Sequence, residues 1–367
     1  MRTTVALVAE QGGTFELAEV EIDEPRDDEV LVRIVATGLC HTDLTMRHFL
    51  PPEMFPHVFG HEGAGVVEAV GSHVEGITVG DHVVLSFRSC RECAACKAGD
   101  VGYCEQTLLL NYMGMRADGS TTMTATDGSP VFGSFFGQSS LARHAIAHAD
   151  NCVVVDPALD LRVAAPYGCG FQTGAGTVLN VLRPAPSDSL AVYGAGAVGL
   201  AAVAAAVAEG VTTVLAVDLV ADRLAEAERL GATPVDASGL EPAQVVARVK
   251  ELTGGAGSTY AIDTTALPVV VKQAQQALAP RGTLVALGLG PEEYQLDAID
   301  LLQGGKRVMS SIEGDSDPLE MVPRLLALRE AGRFDLDALV TTYSFEQIGE
   351  AVEDVLAGRV VKPVLVW

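Results

Sequence analysis

Val192-Tyr193-Gly194-Ala195-Gly196-Ala197-Val198-Gly199 is the stretch on which the fold turns. It has the form G-x-G-x-x-G, with the apolar run 190–193 before it and the Ala-rich run 198–208 after it, and so reads as strand, tight turn and helix. In such a unit the first glycine permits the turn and the second lets backbone approach a pyrophosphate. The third lets helix and strand pack closely, and the helix N-terminus attracts phosphate. Asp218 closes the next apolar run, 19 residues after Gly199. An acid there can accept hydrogen bonds from the adenosine ribose hydroxyls and repel a 2′-phosphate, which favours NAD over NADP. The candidate cofactor residues at this turn are Gly194, Gly196, Val198, Gly199, Asp218 and Arg223.

Outward from the turn, strands expected over 213–218, 260–263 and 283–287 alternate with helices over 221–230 and 269–278. That rhythm is the mark of parallel βαβ units. Past the break at Gln303-Gly304-Gly305, helices are expected over 318–331 and 345–356, and a last strand over 363–367. The first 165 residues have a different texture: β-branched runs at 30–36, 65–70 and 80–85 separated by turns. The reading is an α/β protein in which a doubly wound parallel-sheet domain is joined to a β-rich one, and 367 residues suit two domains.

The chain carries 24 Lys and Arg against 48 Asp and Glu, a net charge of −24, with a pI near 4.6. Such a surface repels nucleic-acid backbones and anionic lipid, so neither is an expected partner. Residues 190–208 carry no charge, but Ala and Gly enter hydrocarbon weakly and the glycines would interrupt a spanning helix. The first ten residues hold an apolar run too short for a secretory core, which points to the cytoplasm.

Seven cysteines stand at 40, 90, 93, 96, 104, 152 and 169. In a reducing compartment the crowding of Cys90, Cys93, Cys96 and Cys104 points to metal before disulfide. Their C-x2-C-x2-C-x7-C spacing can enclose a tetrahedral zinc with no open position, a structural site. An iron–sulfur cluster of ferredoxin type would place its fourth cysteine sooner and follow it with proline, whereas Glu105 follows Cys104. A second set lies in Gly38-Leu39-Cys40-His41-Thr42-Asp43, Gly60-His61-Glu62-Gly63 and Gly168-Cys169-Gly170-Phe171-Gln172-Thr173-Gly174. Two cysteines and a histidine can hold a catalytic zinc whose fourth position takes substrate, although spacing alone leaves the convergence of Cys40, His61 and Cys169 open.

Together these segments resemble the zinc-dependent medium-chain alcohol dehydrogenases over residues 2–367, and most of all their aryl-alcohol (benzyl alcohol) branch. The branch resemblance lies in Phe135-Phe136-Gly137-Gln138-Ser139-Ser140, in the run around Cys169, and in Asp300-Leu301-Leu302-Gln303-Gly304-Gly305-Lys306. The thiol-dependent formaldehyde dehydrogenases look similar over the same length. The resemblance implies a GroES-like catalytic domain at 1–168, a Rossmann NAD-binding domain at 169–312, and a segment 313–367 returning to the first. It implies two zinc ions, one catalytic on Cys40, His61 and Cys169 and one structural on the four clustered cysteines. Asp43 would orient the zinc-bound histidine, Glu62 would lie behind the metal, and Thr42 would take the proton from the alcohol. Thr173 would lie against the nicotinamide, and His41 and Lys362 would approach the pyrophosphate. Many relatives carry a histidine five residues after the first zinc cysteine; this chain has Thr45 there, so the relay would run from Thr42 to the cofactor ribose and then to water, or would borrow His48.

The implied activity is reversible hydride transfer between a primary, aromatic alcohol and NAD, giving the aldehyde. A phenyl-lined slot from Phe49, Phe55, Phe59 and Phe87 would suit it. Two other readings stand beside it: a thiol-dependent formaldehyde or S-nitrosothiol dehydrogenase, and a catalytically silent nucleotide-binding relative. The resemblance further implies homodimers or homotetramers built through the nucleotide-domain sheet, with 284–289 as the contact.

Overall fold

The strand Ser189–Tyr193 is buried along most of its length, with Leu190 through Tyr193 fully so, because neighbours pair with it on both edges. In this computed structural model, which describes Met1–Trp367, it is one of the central strands of a six-stranded sheet. The sheet runs in the order Thr233–Asp236, Thr213–Asp218, Ser189–Tyr193, Ser258–Asp263, Leu278–Ala286, Arg307–Ser310, all parallel. Numbered along the chain this is 3-2-1-4-5-6, the doubly wound order whose direction reverses beside the first strand. The uncharged run 190–208 thus divides into that strand, the glycine turn and the helix Ala197–Ala208, and no helix of the chain is long and apolar enough to cross a membrane.

Third-glycine packing is visible in this unit. A Cβ on Gly199 would stand 1.9 Å from the Gly194 carbonyl oxygen, and one on Gly174 1.9 Å from that of Val198. The helix Gly170–Gly176 therefore lies directly on the helix Ala197–Ala208 through bare backbone.

The other unit holds a five-stranded and a seven-stranded sheet. In the larger, Glu29–Gly38 pairs with Gly63–Val70, with His144–His148 and with the C-terminal strand Lys362–Val366, all antiparallel. Those pairings carry the C-terminus back to the β-rich unit. The two units comprise 1–169, 317–326 and 337–367 on one side, and 170–316 and 327–336 on the other. The sequence reading sent all of 313–367 to the first unit. The piece 327–336 instead packs with the second, where Phe334 and Leu336 are fully buried, Arg229 pairs with Asp335 at 2.9 Å, and Arg333 donates to the Ala208 carbonyl.

The sequence expectations lack several elements of the nucleotide unit, among them the helices Gly170–Gly176, Pro242–Leu252 and Ala298–Gly304 and the strands Thr233–Asp236 and Arg307–Ser310. The Gly304-Gly305 break is the end of one of these helices, where Gly305 takes the left-handed conformation (φ 58°). Residues 284–289 are not an edge. Leu284 and Val285 are interior, paired on both sides, and the edge on that side of the sheet is Arg307–Ser310.

Candidate metal centres and nucleotide turn

Cys40 ends the extended stretch after Glu29–Gly38 and caps the helix His41–Phe49. Asp43, in the first turn, accepts the Cys40 N–H on Oδ2 at 3.0 Å, completing a capping box. Its Oδ1 accepts the Gly60 N–H at 3.0 Å and the His61 Nδ1–H at 2.8 Å. A helix-capping carboxylate is thereby also the group that sets the His61 ring. With Nδ1 as donor, the lone pair of His61 is left on Nε2, a buried atom with no hydrogen-bond partner.

The ligand atoms of Cys40, His61, Glu62 and Cys169 lie within 4.8 Å of one another. The fully buried Glu62 binds Lys362 Nζ through both oxygens, at 2.7 and 2.6 Å. The carboxylate is thus already paired, and two sulfurs with the bare imidazole nitrogen remain as a soft donor set that suits zinc. Gly38 is part of the design, since a Cβ there would stand 1.9 Å from Glu62 Oε2.

Charges in this pocket displace one another's titration. The Cys40 thiol is held well below its usual pKa, chiefly by its hydrogen bond with Cys169, with His61 and Lys362 assisting against burial. Burial opposes protonation of His61, but Asp43 and Cys40 outweigh it and raise its pKa. Burial pushes the Glu62 carboxyl up to about 7 against the pull of Lys362. Lys362 rises too, because Glu62 and the Cys40 sulfur overcome the cost of burying an ammonium.

Lys362 was expected at the pyrophosphate. The structure commits it to Glu62, with its side chain 3 % exposed. The Thr42 hydroxyl lies 3.7 Å from the Cys40 sulfur and is half-buried. His41 is exposed at the helix start, and His48 is exposed in its last turn.

The four clustered cysteines converge as well, with ligand atoms within 4.8 Å of one another. The Cys90 and Cys96 sulfurs are 3.9 Å apart. Main-chain amides point at the sulfurs: Cys93 N–H at Cys90 (3.3 Å), Cys96 N–H at Cys93 (3.5 Å), Cys90 N–H and Gln106 N–H at Cys104 (3.3 and 3.4 Å). Such donors favour thiolates, and they hold the Cys93 thiol down to about 6, led by the Cys96 amide, while burial pushes Cys96 up to about 12. All four positions of a tetrahedral ion are supplied by protein, a closed site.

In the nucleotide unit Gly194 adopts φ 92° and Gly196 caps the helix Ala197–Ala208 without a side-chain hydrogen bond. A Cβ on Gly196 would meet no protein atom within 4 Å, so the first helical amides face open space that a phosphate can enter. Val198 is half-buried in the same first turn. Asp218 Oδ2 accepts the Ala195 N–H at 2.6 Å, and Oδ1 accepts Leu219 and Val220 N–H at 2.7 and 2.9 Å. Arg223 follows in the helix Ala221–Arg229, with its Nε buried and without a partner.

Thr173 was expected at the nicotinamide. Its hydroxyl donates to Glu313 at 3.2 Å, and Gln172 donates to the same carboxylate at 3.0 Å. The sequence reading missed Glu313, a buried acid with φ 52°. A non-glycine residue held in that region is a structural signal invisible in residue type.

Aromatic rings crowd one side of His61: Phe136 at 4.6 Å and Phe135 at 5.7 Å between centroids, with Tyr112 5.2 Å from Phe136 and Phe59 5.0 Å from Phe135. Of the four phenylalanines expected at the slot, Phe55 and Phe59 join this cluster, Phe87 is core, and Phe49 is 64 % exposed.

Comparison with known proteins agrees with this arrangement. Residues 26–157 match the family model of the alcohol dehydrogenase GroES-like domain, and 197–329 that of the zinc-binding dehydrogenases. A geraniol dehydrogenase of Castellaniella defragrans is 42% identical over 99% of this chain and 97% of its own. An alcohol dehydrogenase zinc-binding domain protein from Burkholderia ambifaria superposes with TM-score 0.95 at 44% identity, covering 100% of this chain and 99% of that one. A benzyl alcohol dehydrogenase from Acinetobacter calcoaceticus superposes at 0.93 with 38% identity and the same coverage.

Proposed function

The chain belongs to the zinc-binding alcohol dehydrogenases with a GroES-like domain, and from that premise we propose that it is an NAD-linked enzyme oxidising primary benzylic or allylic alcohols reversibly to aldehydes. The observation that carries this reading is a two-sulfur, one-imidazole donor set with phenyl rings against its histidine. When bound, zinc supplies Lewis acidity to the substrate oxygen and NAD supplies the hydride acceptor.

The chain's own residues do the rest. Cys40, His61 and Cys169 would hold the metal, and Asp43 keeps the His61 ring in the orientation and tautomer that present Nε2. Glu62, neutralised by Lys362, places no free negative charge behind the site. Thr42 Oγ1 would receive the proton that leaves the alcohol while its own hydroxyl proton leaves toward solvent water. Gly194, Gly196 and the first amides of Ala197–Ala208 take the pyrophosphate, Asp218 and Arg223 the adenosine ribose, and Thr173, braced by Glu313, the nicotinamide. The Phe135 and Phe136 rings packed against His61, with Tyr112 beside them, would give a flat unsaturated substituent on the carbinol a dry apolar flank. The named alcohols of the two relatives, geraniol and benzyl alcohol, share that feature.

The test is the initial rate of NADH formation with benzyl alcohol, geraniol, ethanol, and formaldehyde with a low-molecular-weight thiol, repeated with NADP. Expected is a kcat/KM for benzyl alcohol or geraniol at least roughly a hundredfold above ethanol, since several buried carbons are at stake, and little rate with NADP. Equal or better use of ethanol would overturn the substrate reading, and activity only with the thiol adduct would replace it with the formaldehyde branch.

A further inference from the structure

Behind the Cys40–His61–Cys169 site lies a fully buried polar cluster that takes no part in the chemistry above. Gln138 follows the turn Phe135–Gly137 and spends its whole side-chain amide on main chain. Its Oε1 accepts the Gly63 N–H at 3.1 Å, and its Nε2 donates to the His61 carbonyl and the Ser86 carbonyl, both at 3.0 Å. Residues 61 and 63 are thus gripped from one side chain. Ser86, just beyond the strand His82–Leu85, also donates its hydroxyl to the Gly168 carbonyl at 2.6 Å, one residue before Cys169. Asn151 Nδ2 braces the cluster on the carbonyls of Ser86 and Gly137, both at 3.2 Å.

The backbone leaves little slack around these bonds. A Cβ on Gly168 would stand 2.1 Å from the Leu85 carbonyl oxygen, and one on Gly63 2.6 Å from Ser140 Cβ. Apolar side chains would fill the same space without the desolvation cost of two buried polar residues, so packing alone does not account for Gln138 and Ser86. What they do is join the segment bearing His61 to the segment bearing Cys169 through two linked residues, Gln138 on the first and Ser86 on the second. We propose that Gln138 and Ser86 are a positioning clamp that fixes the spacing of the His61 and Cys169 ligands and thereby retains the metal of that centre. The proposal rests on the reading of Cys40, His61 and Cys169 as zinc ligands.

Removal of outer hydrogen-bond partners of metal ligands commonly lowers metal affinity 10- to 100-fold, which sets the scale of the test. Zinc-loaded protein is mixed with a chromogenic chelator and zinc release is followed for wild type, Ser86→Ala, Gln138→Glu and Thr122→Val. The last is a matched control, because Thr122 also donates a buried hydroxyl to a carbonyl at 2.6 Å, that of Gly133, away from any ligand segment. Expected is one zinc equivalent leaving roughly tenfold faster or more in Ser86→Ala and Gln138→Glu, with the second equivalent and the Thr122→Val protein as in wild type. The visible bands of the cobalt-substituted protein should shift in the first two variants alone. Release rates and cobalt spectra in Ser86→Ala and Gln138→Glu no different from Thr122→Val would overturn the clamp. A wild-type protein that binds only one zinc would instead overturn the ligand reading, and the clamp with it.

Discussion

Asp43 shows how much one residue can do when its two oxygens serve different segments: Oδ2 caps a helix through Cys40, and Oδ1 holds Gly60 and the His61 ring. Loss of a ligand should be more selective than loss of this residue. In Cys169→Ser, one of two zinc ions and the activity should go, the latter by roughly a thousandfold or more because the metal supplies several kcal/mol. The circular dichroism spectrum should stay as in wild type; full activity in that protein would remove Cys169 from the site. His57 offers a second test. Its ring lies 4.4 Å from Phe59, its Nδ1 meets the Met54 carbonyl at 3.1 Å, and burial presses its pKa down to about 4. The folded chain therefore keeps His57 neutral where the unfolded chain, with the ordinary value near 6.5, takes up a proton. This contribution is complete above pH 6.5 and is lost as pH falls toward 4, up to about 3 kcal/mol. Urea midpoints at pH 7 and 4.5 should differ by less in His57→Phe than in wild type, while any loss of zinc affects both proteins alike. Identical pH slopes would refute it.

At the scale of elements, the lobe carrying the four clustered cysteines has almost no regular structure of its own. Its helix, Ala94–Lys97, has four residues, too few to hold itself, and is capped by the Cys93 sulfur that accepts the Cys96 amide. Arg91, left-handed at φ 57°, anchors the lobe through Asp317 at 3.0 Å. A closed zinc site contributes folding free energy directly, so Cys93→Ser should lower the Tm by roughly 5 °C or more with the remaining zinc still bound. An unchanged Tm on a differential calorimetry scan would count against a metal there. This lobe was legible in sequence because its ligands lie within fifteen residues, where spacing limits geometry. The strand, turn and helix at 189–208 were legible for a like reason: local apolar runs and glycines carry the pattern. Arg307–Ser310 was not, since an edge strand with mostly exposed residues has no alternation to read. The helix Pro242–Leu252 did carry a signal, a proline in its first turn and a Glu241–Gln244 capping box, which the apolar pattern alone passed over.

At the scale of the molecule, the nucleotide sheet ends in a strand whose outer edge has no partner in the chain. Beside it the helix Ala298–Gly304 buries none of its residues, and Leu302 is 79 % exposed, Ile299 62 % and Met309 41 %. Open strand edges with apolar flanks invite pairing. The expected outcome is an assembly of at least twice the 38.2 kDa chain by light scattering, reduced to a single chain in Met309→Lys. A wild-type protein that elutes as one chain at micromolar concentration would dismiss this edge as an interface. A charge of −24 would help to keep such an assembly in solution and disfavours nucleic acid as a partner.

Local sequence carried the alternation of strands and helices in the parallel unit, the glycine turn before Asp218 and the cysteine lobe, because each is written in contiguous residues, while the strands Thr233–Asp236 and Arg307–Ser310 that complete the sheet went unread. Spacing left Cys40, His61 and Cys169 as separate candidates, and only the family resemblance implied that they share one zinc. Tertiary structure alone brought them within one ligand sphere, set Lys362 on Glu62 across 300 positions, and placed Gln138 and Ser86 behind the ligands. The reason is physical: these groups meet through the registers of antiparallel strands far apart in the chain, such as Gly38 against Val364, and no local period encodes that pairing.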